Sequence, residues 1–361
     1  MTTASTSTRA DAVAAISAPT GAPPGPDASP DRRTRLTAVL LRQDVVLLGV
    51  LVAMVLFFTA LNPLFFSTSA LANVLQDWAP IMLLGIGQTY VIVTAGIDLS
   101  VGSTLGLSGV SAALVIRSMT QSGTSPAMAI ITGVAVALTV GLAMGLLNAL
   151  LVVRVRLVPF VATLATMGIG AGLTLVVTNG VQIAGGPREV ITIGSTRFLS
   201  VLTAPLLVVL LVLAVAWVVL GMTRFGRWTY AIGSNSFAAR GAGIGVSRHL
   251  VKVYALSGVL AALAGLFVYF RLGSGSPTSG QGLELPAIAA AVIGGTSLFG
   301  GSGRMSGTVL GALITTAVLS GLILIGVAPY WQQVVVGALI AAAVGLQQVS
   351  AVRARNGAGH G

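Results

Sequence analysis

Between residues 45 and 61 the sequence reads VVLLGVLVAMVLFFTAL, and between 206 and 221 it reads LLVVLLVLAVAWVVLG. Neither run holds a charge, and each approaches the ~20 apolar residues that cross a bilayer as a helix. Similar runs recur along the chain after residue 43, so lipid is the solvent that sets the fold. Only 7% of the residues are charged, against roughly 25% in a soluble domain. A lipid-embedded barrel would instead show alternating strands of about ten residues. The sequence therefore predicts an all-α polytopic membrane protein.

Ten spans are expected, at about 45–61, 79–96, 101–116, 127–153, 157–178, 200–221, 253–270, 284–298, 305–325 and 330–350. The basic residues test that count, because cytoplasmic loops carry an excess of Lys and Arg. With the chain starting inside, fifteen of the nineteen fall on the inner side, among them Arg32, Arg33, Arg35, Arg42, Arg154, Arg156, Arg224, Arg227, Arg240, Arg248 and Lys252. Arg117, Arg188, Arg197 and Arg271 fall outside. An odd number of spans would spoil the asymmetry, so both termini are expected in the cytoplasm. The net charge of +11 thus reflects loop bias, and no nucleic-acid partner is expected, because the basic residues form no stripe with aromatics. Residues 1–43 read as a disordered cytoplasmic tail, 44–350 as the membrane domain and 351–361 as a cytoplasmic C-terminal tail.

The chemistry that is missing narrows the function. The chain has no cysteine, one lysine (Lys252) and two histidines (His249, His360). A Gly-Lys-Ser/Thr phosphate loop and a His-x-x-x-His metal site are both excluded. No catalytic residue, metal or cofactor is expected, and transport is the remaining class for so apolar a chain. Interior acids are few: Asp77, Asp98 and Glu284. Ion-driven carriers place several ionisable groups in the bundle, so an ion-coupled secondary carrier for a small polar solute stands as the alternative reading.

Asp98 lies in AGIDLSVGS (95–103). Here Asp98, Ser100 and Ser103 are expected to cap the third span or to line a transport path. Glu284, beside GSGSPTSGQGLELP, is expected at the outer mouth. GIDLSVGS and GTSLFGGS (295–302) share Gly-x-x-Leu-x-x-Gly-Ser and are expected at two inner turns. Trp78, Tyr330 and Trp331 read as interfacial anchors. In the long inner loop 222–252, Ser234–Arg240 is helix-compatible, with Asn235 or Ser236 as cap and Gly241, Gly243 and Gly245 as breakers.

A set of segments in order, NPLFFS (62–67), GIDLSVGS (96–103), PFVATLATMGI (159–169), TNG (178–180), TRFGRWTYAIGSN (223–235), AARGAGI (238–244) and LELPAIAAAVIGGTSLFGGSGRMSGTVLGAL (283–313), resembles a permease subunit of the ribose-type ATP-binding-cassette sugar importers. The resemblance implies a type II importer fold in a bacterial inner membrane. It implies a second permease subunit, identical or similar, cassette ATPase subunits, and an extracytoplasmic binding protein that delivers a monosaccharide or polyol. It makes 234–244 the coupling helix, with Asn235, Ser236, Ala238, Ala239, Arg240, Gly243 and Ile244 facing the ATPase. Two positions depart from the family pattern. Ser236-Phe237-Ala238 stands where Glu-Ala-Ala is usual, and Ala171 where an arginine is common.

Overall fold

The computed structural model describes residues 43–198 and 200–358, with the backbone path alone for 346, 347 and 349–358. The expected N-terminal tail lies outside this range apart from Gln43. Helix α1 (Gln43–Leu61) leads through a 3-10 turn (Pro63–Phe66) into α2 (Thr68–Val93). Helices α3 (Val101–Gln121), α4 (Pro126–Ala149, continued by a π turn over Leu150–Arg154) and α5 (Pro159–Thr178) come after it. Next are a short α6 (Arg188–Ser195), a hairpin of β1 (Arg197–Phe198) and β2 (Leu202–Thr203), and α7 (Ala204–Met222). Then α8 (Arg224–Ser234), α9 (Ser236–Gly241), α10 (Val246–Leu272), α11 (Glu284–Ile293), α12 (Met305–Leu324) and α13 (Tyr330–Ala358) complete the chain. Prolines at positions 126, 159 and 205 open α4, α5 and α7, where the missing N–H has no intrahelical partner to lose.

Among the described residues eight helices are long and apolar enough to cross a membrane, and Glu284–Ile293 and Tyr330–Gly345 are shorter apolar helices. The two classes together give the ten apolar elements expected. Their burial is inverted relative to a water-soluble protein. The most apolar helices, α1 and α7, are among the least buried, whereas α2, α3 and α10 form the interior. Lipid supplies no hydrophobic drive between helices, so close backbone approach has to hold the interior together. Helix α10 shows how. A Cβ on Gly141 or Gly145 of α4 would strike the carbonyls of Gly258 or Tyr254, and one on Gly109 of α3 would press on the Gly265 carbonyl. Consecutive helices α2 and α3 both pack against α10, and α3 also against α4, rather than on each other.

Three features differ from the sequence reading. Helix α2 begins at Thr68, eleven residues before the expected 79, because Ser67 accepts from the Ala70 amide and caps a longer helix. The loops also hold structure of their own, in α6, the β1–β2 hairpin and α8. The largest difference is the expected span at 284–298. After α10 ends at Gly273 (φ +64°), the chain turns back along α3: Ile183 and Gly275 exchange backbone bonds of 2.7 and 2.8 Å. Gly275 lies against Val110 and Ala113, and Gly280 against Gly102 and Gly106. Only then does the ten-residue α11 begin. The expected span is therefore a ten-residue helix preceded by irregular chain that packs its glycines against α3.

Candidate functional site

Asp98 sits in the turn between α2 and α3 and is 1% exposed. Its Oδ1 accepts from the Ser100 amide (3.0 Å), the Ser100 hydroxyl (2.7 Å) and Asn148 Nδ2 of α4 (3.3 Å). Its Oδ2 accepts from the Ser257 hydroxyl of α10 (2.7 Å). Asn148 Nδ2 also donates to Ser100 Oγ at 2.7 Å, and its Oδ1 accepts from Thr166 of α5. Gln88 of α2 donates to the Asp98 carbonyl, and Thr163 of α5 donates to that of Ile97 at 3.0 Å. One carboxylate thus ties the turn to α4 and α10, and through Asn148 to α5. Neutral donors alone satisfy it, since the ion pair among the described residues is Asp77–Arg271 at 2.6 Å.

Capping alone does not describe Asp98. Helix α3 starts after Ser100, whose own side chain makes no cap bond. The Asp98 bond to the Ser100 amide is a local turn made just ahead of the helix. The remaining bonds reach elements up to 159 positions away.

Glu284 opens α11 and is half-buried. Its carboxylate occupies the space into which a Cβ on Gly102 would project, and Gly280 presses on the same backbone. The irregular segment 274–283 carries it from the far end of α10 to the first turn of α3, close in the chain to Asp98. A cavity of ≈180 Å³ opens there, lined by Gly102, Ser103 and Gly106 of α3, Met167, Ala171 and Thr174 of α5, Pro277 and Gly280–Gly282, and Glu284. Ser103 donates back to the Ser100 carbonyl at 3.0 Å and leaves its acceptor capacity free for the cavity. The walls offer hydroxyl, amide, carboxylate and bare glycine backbone, a set suited to a neutral hydroxylated solute. Ala171, one of the two departures from the family pattern, lines this space. Among the described residues no group of His, Cys, Asp or Glu could hold a metal.

Helices α8 and α9 lie at the end of the bundle where α2 finishes. Thr223 caps α8, accepting from the Gly226 amide (3.4 Å), and His249 of α10 anchors it through Thr229 (2.9 Å) and the Phe225 ring (4.5 Å between centroids). Asn235 Oδ1 accepts from the Phe237 and Ala238 amides, each at 3.0 Å, so Asn235 is the cap of α9. Gly243 at φ +81° ends that helix. Ser236, Ala238 and Arg240 are solvent-facing positions of the short helix, Ala239 is buried beneath them with Ile244 packed beside it, and Phe237 is 85% exposed.

The turn between α11 and α12 is strapped to α8. Tyr230 donates to the Gly303 carbonyl at 2.9 Å, and the Gly301 amide donates to the Val93 carbonyl at the end of α2, also at 2.9 Å. Burial pushes the Tyr230 phenol up, against a smaller opposing pull from the Arg304 guanidinium, so it remains a donor. The α9 residues and Asp98 are therefore joined through α8, the Gly300–Gly303 turn and the end of α2. The sequence reading missed Asn148, Thr166, Ser257 and Gln88. Asn148 did carry a signal: a lone amide in the apolar run GLLNALL needs a partner inside the bundle.

The family model described as "branched-chain amino acid transport system / permease component" matches residues 70–344. The ribose import permease protein RbsC of Escherichia coli K12 is 41% identical over 288 residues, covering 78% of this chain and 86% of that protein. Its namesake in Bacillus subtilis is 42% identical over 262 residues, covering 72% and 79%. The fructose import permease protein FrcC of Rhizobium meliloti is 37% identical over 277 residues, covering 75% of each. No solved structure matches the chain. With three quarters of its length matched and relatives of this similarity, the chain belongs to the branched-chain amino acid transport system permease family, as a membrane-spanning permease component.

Proposed function

We propose that this chain is the permease of an ATP-driven importer for a monosaccharide or a related polyol, forming the path while a partner hydrolyses ATP. The observation that carries the reading is the cavity between α3, α5, the 277–282 segment and α11, to whose lining Ser103, Thr174, Gln281 and Glu284 contribute. Hydroxyl and carboxylate groups beside bare backbone match the donors and acceptors of a sugar. The relatives' names point the same way, being import permeases for ribose and fructose. At ≈180 Å³ the cavity is smaller than the roughly 300–1,000 Å³ of a ligand pocket. A second permease subunit across the largely exposed α5 completes it. An extracytoplasmic binding protein delivers the solute.

On this reading the cassette ATPase grips α9 through Asn235, Ser236, Ala238, Ala239, Arg240, Gly243 and Ile244, and Phe237 replaces the usual small residue in that contact. Both termini are cytoplasmic. The chain contains no cysteine, so a single S236C variant can be labelled from either side of the membrane. Labelling from outside would overturn the orientation.

The functional test is uptake of labelled pentoses and hexoses into vesicles carrying the permease with its cassette ATPase and binding protein. Glu284→Gln should lower uptake at least tenfold while leaving assembly and thermal stability within about 0.5 kcal/mol. Uptake by the lone permease under an ion gradient without ATP would replace this reading with the secondary carrier. ATP turnover by the lone purified chain would also refute it.

A further inference from the structure

We propose that the chain carries a binding site for an anionic membrane lipid, separate from the sugar cavity and independent of which solute crosses. A groove of ≈250 Å³ lies between α4, α6, α7 and α10 and shares no residue with the Glu284 cavity. Val134 of α4, Ile193 of α6, Pro205 and Val208 of α7, and Leu263 and Phe267 of α10 form its walls. Every lining side chain is apolar, so neither water nor a sugar would find a hydrogen-bond partner there. An acyl chain needs none.

The mouth of the groove says which lipid. Ile193 and Ala204 line the groove, and Arg197 lies between them in the chain. The β1–β2 ladder places Arg197 opposite Thr203, whose hydroxyl accepts from the Leu206 amide at 3.4 Å and so fixes the start of α7. The hairpin therefore fixes Arg197 on the short stretch that joins the lining residues Ile193 and Ala204. It is exposed and is not in the ion pair found among the described residues, Asp77–Arg271. The acid nearest in the chain, Glu189, is in the first turn of α6, about two turns away. This hairpin is at the end of the bundle remote from α8 and α9, where α7 begins and α10 finishes. A lipid phosphate at that membrane surface is level with the guanidinium while one tail descends between α7 and α10. The occupant is a phospholipid with a net negative headgroup.

The test uses the full chain in nanodiscs of equal phosphatidylglycerol and phosphatidylcholine, with gentle extraction and native mass spectrometry of the retained lipid. Phosphatidylglycerol should be enriched. Arg197→Ala should cut that enrichment roughly fivefold, the factor for one basic residue at a membrane surface. Val208→Trp should fill the groove and remove both lipids, with Ala204→Leu as a milder filler should the tryptophan variant fail to fold. Leu56→Trp, on the exposed face of α1, should change nothing. Equal retention of the two lipids by the unaltered chain would overturn the proposal, as would retention insensitive to both Arg197→Ala and groove filling. Efficient cross-linking between two copies carrying V208C would show instead that a second chain covers the groove, and the lipid site would fall.

Discussion

The turn after α2 and the turn after α11 close in the same way. Ala95 (φ 63°) and Gly295 (φ 88°) take the left-handed conformation, and their amides donate to Ile92 and Val292 carbonyls at 2.8 and 2.9 Å. The next amides, Gly96 and Thr296, each reach back five residues, to Val91 and Ala291, at 3.0 Å. Both are Schellman endings. Past those endings the two turns diverge. The first buries Asp98 and binds sideways to α4 and α10. The second is glycine-rich, leaves Phe299 76% exposed, and lies against α8 through Gly300 and Gly301. One turn locks helices within the bundle; the other faces the end where α9 is presented. A shared backbone ending fixes how the chain reverses, and the side chains decide what the reversal holds.

Removing the lock puts this contrast to its most severe test. Asp98→Ala leaves the Ser100 amide and the Ser100 and Ser257 hydroxyls without their acceptor in a buried site. The loss should be on the order of 3–5 kcal/mol, since each buried donor left unsatisfied costs about 1–3 kcal/mol. It would appear as a collapse of the thermal transition of the detergent-solubilised chain. Asp98→Asn should recover part of it, because it keeps an acceptor for Ser100 while the Ser257 hydroxyl can turn to accept. Native stability in Asp98→Ala would mean that the network is no lock. Next in size is Gly233→Ala. Its Cβ would collide with the Val93 carbonyl and crowd the Gly301 amide, prising apart the 2.9 Å bond between them. A cost of about 1–3 kcal/mol is expected. ATP-driven uptake should fall by more than stability does if this strap carries motion from α9, and parallel losses would reduce it to packing.

The spans were legible in the sequence because hydrophobicity in lipid is a local property: length and the absence of charge suffice. The α9 start was equally local, since an asparagine ahead of a short helix supplies its own acceptor. The half-helix at 284–293 was not legible. GSGSPTSGQG has the composition of a surface loop, and it is drawn partly into the bundle because Gly280 and Gly102 let two backbones touch, a contact between residues far apart in the chain. The approach of Glu284 to Gly102 was hidden for the same reason. The Gly-x-x-Leu-x-x-Gly-Ser match found two turns that share a Schellman ending, but in the wrong register. It pairs Gly96 with Gly295, whereas the backbone pairs Ala95 with Gly295. Asp98 was noticed for its rarity, yet Ser257 and Thr166 look like any hydroxyl in a span until the fold brings them to it.

Two smaller effects probe the same pair of turns. Tyr230→Phe removes the tie from α8 to the Gly303 carbonyl and should cost about 1 kcal/mol. Burial raises this phenol, so the tie is intact at neutral pH. Its contribution should begin to fall only as pH rises past the ordinary phenol range of ~10, which a melting series from about pH 7 to 11 would reveal by losing its difference from Tyr230→Phe. The smallest effect concerns the register itself. If the two endings are equivalent at 95 and 295, the alanine at the first bears the left-handed strain that glycine avoids at the second. Ala95→Gly should then stabilise the chain by up to about 1 kcal/mol, whereas Gly295→Ala should destabilise it by at least as much, because its Cβ also meets the Gln43 side chain. Opposite signs in the two melting shifts would establish the backbone register over the sequence one. Equal signs would mean that the resemblance between the turns stops at their hydrogen bonds.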